Sequence, residues 1–176
     1  LTTLEDAQVD VTVATPTGAP PVVDERSADP EEVGEETAEW VCGVDDTHPE
    51  LNDPIRLARA EADDYDAVVF PGGHGTVWDV NQDRHARQLL LEAVAGEDGT
   101  ALVVCHAVGL LAFTREADGS FLVSDRDVTG FPNAWEEGIV DADDYASVTV
   151  DGDLITARGP GSSAAAAETL LDALGS

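Results

Sequence analysis

Lysine and methionine are both missing from this chain of 176 residues, and cysteine occurs only twice, as Cys42 and Cys105. Two cysteines cannot build a disulfide framework, so a packed core and a reducing compartment, the cytoplasm, are expected. Long apolar runs are absent as well. No stretch approaches the roughly 20 residues of a membrane-spanning helix, and none has the layout of a secretory signal, so no membrane partner is expected. Positive charge is scarce: all eight basic residues are arginine, set against 37 acidic ones, for a formal net charge of −29. A nucleic-acid-binding face needs the opposite sign, which excludes nucleic acid from the expected partners.

Acidic excess can mark disorder, but 43% apolar residues and clear periodic segments point to a folded chain here. The expectation is a protein whose solvated face is carpeted with Asp and Glu. Such a face suits the salt-filled cytoplasm of an extreme halophile, where counterions screen self-repulsion. The length suffices for one domain with a real core, and neither a linker nor an internal repeat divides residues 1–176. The chain opens inside what reads as a helix end, Leu1 to Ala7, and without Met, so further residues are expected before Leu1.

Two segments carry chemistry. Ala101 to Val104 reads as a buried strand and the apolar run after His106 as a packed helix, with Cys105 and His106 at the turn between them. A helix N-terminus there favours thiolate through its free N–H groups and positive dipole. The turn resembles the nucleophile elbow of hydrolases, with Cys in place of Ser and the small Ala107 two places on. A buried structural cysteine is the plainer alternative. The second segment is the strand Tyr65 to Phe70, which runs into Pro71-Gly-Gly-His-Gly75. Glycines at a strand's end permit positive φ and bare their N–H groups to a ligand.

The remaining pattern supplies a scaffold. Val9 to Ala14 alternates as a strand, Trp40 to Val44 reads as a minor edge strand, and Pro54 opens a short helix. Gln82 to Ala95 is an amphipathic helix with Ala86, Leu89, Leu90, Ala93 and Val94 on one side. Phe121 to Val123 and Asp127 to Thr129 are short strand candidates, and Val148–Val150 with Leu154–Ala157 forms a hairpin. Ser162 or Ser163 caps a closing helix that Gly175 ends. Strands alternating with helices predict an α/β sandwich, its mostly parallel sheet covered on both faces. Ligands in such folds sit beyond the strands' C-terminal ends, where both glycine loop and Cys-His pair fall.

Taken together, the segment from Tyr65 through Pro-Gly-Gly-His-Gly75 to Trp78-Asp79, Val104-Cys-His106 and Gly159-Pro-Gly-Ser162 resembles the DJ-1/PfpI superfamily. Val128-Thr-Gly-Phe-Pro-Asn-Ala-Trp-Glu-Glu137 resembles its glyoxalase III and chaperone branch, while Leu154 to Ser163 is closer to DJ-1 proper. The resemblance implies a flavodoxin-like fold, a homodimer, and a site that needs neither cofactor nor metal. It implies Cys105 as nucleophile, His106 as general base and acid, and Glu136 as the acid that orients His106. It implies further that Gly72, Gly73 and His74 line the substrate site, with the N–H groups of Gly73 and His106 as oxyanion donors. The Glu that hydrogen-bonds the nucleophile in this superfamily is expected before Leu1.

Each residue also has a blander role open to it: Glu136 and Glu137 as solvated acids, His74 as a shaper of the glycine loop, and His48 as an inert surface group. Three functions follow from the resemblance. The first is a cysteine-dependent, glutathione-independent enzyme turning methylglyoxal or related small carbonyl compounds into 2-hydroxy acids. The others are a stress-response chaperone or oxidation sensor using Cys105, and a PfpI-type amidase or peptidase.

The charge generates a test. The melting temperature should fall as KCl is lowered from molar to about 0.1 M, where the Debye length reaches about 10 Å and the acids repel at longer range. Equal melting temperatures at the two salt levels would remove the halophile reading.

Overall fold

The computed structural model describes residues 1–96, 99–136 and 146–175. In chain order the elements are α1 (Thr2–Asp6), β1 (Ala14–Thr15), α2 (Pro30–Val33), α3 (Glu35–Thr47), β2 (Ile55–Arg56) and β3 (Ala67–Phe70). After them come α4 (Arg84–Ala95), β4 (Thr100–Val104), α5 (Gly109–Phe113), α6 (Asn133–Glu136), β5 (Val148–Asp151), β6 (Leu154–Ala157) and α7 (Ser163–Leu174). They fall into two compact units, residues 10–60 in one and residues 1–9 with 61–176 in the other.

The larger unit is built on a four-stranded sheet in the order β3-β4-β6-β5. β3, β4 and β6 are mutually parallel, and β5 returns antiparallel to β6 across the Gly152 turn. All five residues of β4 are buried, which is why residues 101–104 form a continuous apolar run instead of an alternating one. Leu102 and Val104 pack with Ile155 and Ala157 of β6 and with Ala166 and Leu170 of α7. Strand alternation turns Ala101 and Val103 to the other face. The stripe Ala86, Leu89, Leu90, Ala93 and Val94 is buried on α4, which packs on β3 and β4. Asp83 caps α4, its carboxylate accepting from the N–H groups of His85 and Ala86. This is the α/β architecture expected from the sequence, with the ends of β3 and β4 side by side.

The smaller unit departs further from expectation. Of the Val9–Ala14 pattern only Ala14–Thr15 is a strand, and it pairs in parallel with Ile55–Arg56. Ile55 donates its N–H to the Val13 carbonyl, so the segment after Pro54 is strand followed by a 3-10 turn, Leu57–Arg59, and not a helix. Alternation makes a strand only where a neighbour offers a ladder. Trp40 to Val44 lies within α3 and is no edge strand. Gly34, at φ 84°, separates α2 from α3, and Glu35 and Glu36 in the first turn complement the helix dipole. His48 is buried beside Glu50 and tilted against the Trp40 ring, not on the surface.

Two further expectations are corrected in the larger unit. Phe121 to Val123 contributes one isolated bridge, Arg115 to Phe121, and Asp127 to Thr129 forms no strand. Instead, Thr129 donates its N–H to Thr156 Oγ1 and its hydroxyl to the Ala146 carbonyl, tying this segment to β6. Ser162 is the N-cap of α7 but its hydroxyl makes no capping bond, because the 3-10 turn Pro160–Ser162 already gives it helical backbone. Gly175 ends α7 in the left-handed region, as the sequence suggests.

Leu90 is fully buried on α4. Leu90→Ala should cost about 2–5 kcal/mol through lost transfer energy and the cavity left behind. Urea denaturation in molar KCl measures this; a loss below about 1 kcal/mol would show that α4 is not packed into the core as described.

Candidate active site

Cys105 stands one residue past the end of β4 with φ 58°, one of two non-glycine residues in the chain at positive φ among those described. Such a backbone costs about 1–3 kcal/mol and is kept only where the surroundings over-determine it. Here β4 fixes one side. On the other, the 3-10 turn Cys105–Val108 runs directly into α5. Asn81, buried after the Val80–Gln82 turn's first residue, donates Nδ2–H to the His106 carbonyl at 2.9 Å and pins the residue after the cysteine. A Cβ on Gly109 would meet that Nδ2 at 2.6 Å, so the start of α5 must be glycine for Asn81 to fit.

The glycine loop closes on the thiol from the end of β3. A Cβ on Gly72 would stand 2.4 Å from Cys105 Cβ and 2.9 Å from the Val104 carbonyl oxygen, so only glycine lets the two loops approach. Gly73 has φ 108°, a conformation open to glycine and strained for other residues. That turn aims the Gly73 N–H at the Cys105 sulfur, where the His106 N–H also points.

The His106 ring folds back over the nucleophile. Its Nδ1 lies 3.2 Å from Cys105 Sγ, and its Nε2 lies 2.5 Å from Glu136 Oε1. Phe131 stacks on the imidazole, with centroids 4.4 Å apart, and Trp135 meets Phe131 edge-on at 5.3 Å. His74 also enters the cluster. Its Nε2 is 3.5 Å from Glu136 Oε1, and its ring lies 4.3 Å from that of His106. A cavity of about 240 Å³ opens here, lined by Cys105, His106, Val108, Gly109, Gly130 and Phe131.

All six residues singled out in the sequence, Gly72, Gly73, His74, Cys105, His106 and Glu136, therefore meet at one place. Glu137 lies outside the described residues. Phe131 is the aromatic residue of the cavity lining, while Trp78 is 82% exposed. Asn81 and the Thr129–Thr156 tie were not legible in the sequence. Nothing in a short polar segment announces that one of its side chains will be buried.

The electrostatics correct one expectation. Burial pushes the Cys105 thiol above its ordinary value; the N–H groups of His106 and Gly73 pull it down, and the Glu136 charge pushes it up again. The net direction is upward, so the turn does not hold a resting thiolate: desolvation outweighs the donors. Glu136 moves the other way, its carboxyl held below the ordinary value first by the hydrogen bond from His106 and then by the charges of His106 and His74. When the His106 ring is neutral, an ionised Glu136 that accepts Nε2–H leaves the Nδ1 lone pair facing the thiol.

A buried cysteine on a strained turn after a parallel strand, a histidine backed by a carboxylate, and a facing glycine loop define a nucleophile-elbow protein of the flavodoxin-like class. The chain belongs to the DJ-1/PfpI family, whose pattern it matches over residues 2–173. It is 33% identical over 98 residues to the protein/nucleic acid deglycase HchA of Pseudomonas aeruginosa, a match spanning 51% of this chain but only a third of that relative. In fold it is similar to the Rapid Encystment Protein of Francisella tularensis, with a TM-score of 0.81 and 23% identity over 98% of this chain and 85% of the other. It is similar also to glyoxalase III of Candida albicans, with a TM-score of 0.80 and 18% identity over 98% and 83% of the two chains. The likeness to HchA accords with the branch read from the Val128-Thr-Gly-Phe-Pro-Asn-Ala-Trp-Glu-Glu137 segment. Among the described residues no helix is long and apolar enough to cross a membrane.

The raised thiol has a pH consequence. In a Cys42→Ala background, alkylation of Cys105 by iodoacetamide should climb with pH and inflect above the ordinary thiol value of about 8.5, because the protonated form is favoured in the fold. An inflection well below that value would restore the resting thiolate.

Proposed function

We propose that this protein is a cofactor-independent enzyme acting on small dicarbonyl compounds, with methylglyoxal as the type substrate and lactate as its product. The observation that carries the reading is the Cys105–His106–Glu136 alignment, in which Nδ1 faces the sulfur and Nε2 the carboxylate. The thiol is protonated at rest, so attack and proton removal are coupled. As Sγ bonds to the aldehyde carbon, the S–H proton passes to His106 Nδ1, and Glu136 balances the imidazolium. The Gly73 and His106 N–H groups, both directed at the sulfur, are within reach of the oxygen on the carbon attached to it and stabilise its charge.

The oxygen then takes the proton back from Nδ1, giving a hemithioacetal and a neutral His106. Nδ1 next removes the proton from the former aldehyde carbon, giving an enediolate; the hydroxyl proton on that carbon's oxygen passes to the neighbouring oxygen, and the proton held on Nδ1 is delivered to the adjacent carbon. The product of this shift is a thioester of the 2-hydroxy acid. Water cleaves the thioester, releasing the acid and restoring Cys105 as thiol. No external oxidant is needed, since one carbon is oxidised as its neighbour is reduced. Carbonyl adducts of amines or thiols are a second substrate group on this reading, which the likeness to a protein/nucleic acid deglycase supports.

Burial argues against the oxidation-sensor alternative. Such thiols are accessible and of low pKa, whereas Cys105 is 5% exposed and its pKa is raised.

Methylglyoxal turnover by purified protein in molar KCl tests the proposal. Cys105→Ala should abolish lactate formation with an unchanged melting temperature, and His106→Ala should lower kcat by at least about 100-fold, the usual worth of a general base. Glu136→Gln should be milder than either, since it alters the partner of His106 and removes no reacting group. Full activity in Cys105→Ala would overturn Cys105 as the nucleophile, and absence of turnover in the parent would overturn the enzyme reading and leave the chaperone role standing.

A further inference from the structure

His74, His106 and Glu136 present three ligand atoms within 4.8 Å of one another, two imidazole nitrogens and a carboxylate oxygen. No spacing in the sequence announces this set, because its members come from two 3-10 turns and the short helix α6, far apart in the chain. We propose that these three side chains form a binding site for one divalent ion of the borderline class, such as Zn²⁺, and that the ion and the Glu136–His106 hydrogen bond exclude each other.

The geometry suits such an ion. Nitrogen and oxygen ligands sit about 2.0–2.1 Å from zinc, so donors in a tetrahedral shell stand about 3.3 Å apart. His74 Nε2 and Glu136 Oε1 already stand 3.5 Å apart. The 2.5 Å between His106 Nε2 and the same oxygen is a hydrogen-bond distance and must widen. Glu136 is able to yield, being half exposed on a helix of only four residues. His106 is held in place by the stacked Phe131 ring and by its bond to Cys105, so it acts as the rigid member.

Ligand type selects the ion. Two imidazoles and one carboxylate favour zinc, copper, nickel or iron over magnesium and calcium, which prefer oxygen alone. The side chains of His74 and Glu136 are 59% and 47% exposed, so an ion reaches them from solvent and keeps open positions for water. Cys105 is not needed, because its sulfur lies against Nδ1, the other nitrogen of the His106 ring. Bound metal takes the Nε2 lone pair, and in a neutral ring the proton then resides on Nδ1, against the sulfur. On the function proposed above that form cannot accept the thiol proton and is inactive; the binding itself does not rest on that function.

Calorimetric titration of the chelator-treated full chain with ZnCl₂ in molar KCl tests the site independently of turnover. The expected result is one ion per chain, with affinity reduced tenfold or more in each of His74→Ala and Glu136→Gln while their melting temperatures stay near that of the parent. A Cys42→Ala, Cys105→Ala double variant should bind as the parent does, which separates the site from capture by thiols. Millimolar CaCl₂ should leave the isotherm unchanged, which separates it from the acidic surface. Co²⁺ should produce a visible absorption band that His74→Ala abolishes. Absence of a one-to-one isotherm, parental affinity in both ligand variants, loss of binding in the double-cysteine variant, or displacement by calcium would each overturn the proposal.

Discussion

Everything at the site depends on a collision that does not happen. Gly72 and Cys105 come so close that a single added carbon would overlap the cysteine's own Cβ. Two strands side by side in a parallel sheet bring their C-terminal loops together by construction, but only a residue without a side chain lets those loops touch. That contact brings the Gly73 N–H onto the sulfur, buries the thiol, and so raises its pKa. The strained φ of Cys105 belongs to the same constraint: it turns the chain away from the sheet so that the thiol faces the glycine loop.

Charge is handled on two scales. Over the whole chain acidic residues outnumber basic ones 37 to 8, for a formal net charge of −29. At the site one carboxylate out of 37 is singled out by its neighbours, because Glu136 alone among those described faces both His74 and His106. Its lowered pKa records that setting. As a group whose pKa falls on folding, it lends stability above the ordinary carboxylate range, and that stability is lost as pH falls through its folded value.

The aromatic and threonine contacts explain how a short segment without strand or long helix holds Glu136 in place. Thr129 is tied to β6, Phe131 stacks on His106, and Trp135 packs against Phe131 while its ring edge lies against Gly159. A Cβ on Gly159 would stand 3.1 Å from that ring. The segment that leads to Glu136 is thus packed, while the Glu136 side chain itself stays half exposed.

How much of this was written in the sequence follows from the range of the forces involved. The apolar run of β4, the stripe on α4, the hairpin of β5 and β6 and the closing glycine of α7 were all legible, since burial and turn chemistry repeat on the scale of a few residues. The Cys-His pair and the glycine loop were legible because strand ends and glycines mark themselves locally. Residues 9–13, 40–44, 55–59 and 121–129 misled, because a short apolar or alternating run is strand or helix only according to whether a neighbouring strand stands ready to receive its hydrogen bonds. The upward shift of the thiol, the buried Asn81 and the convergence of His74 on Glu136 were decided by the tertiary structure alone. Desolvation and contacts between residues 25 to 62 positions apart have no local signature; they come into being only when the loops meet.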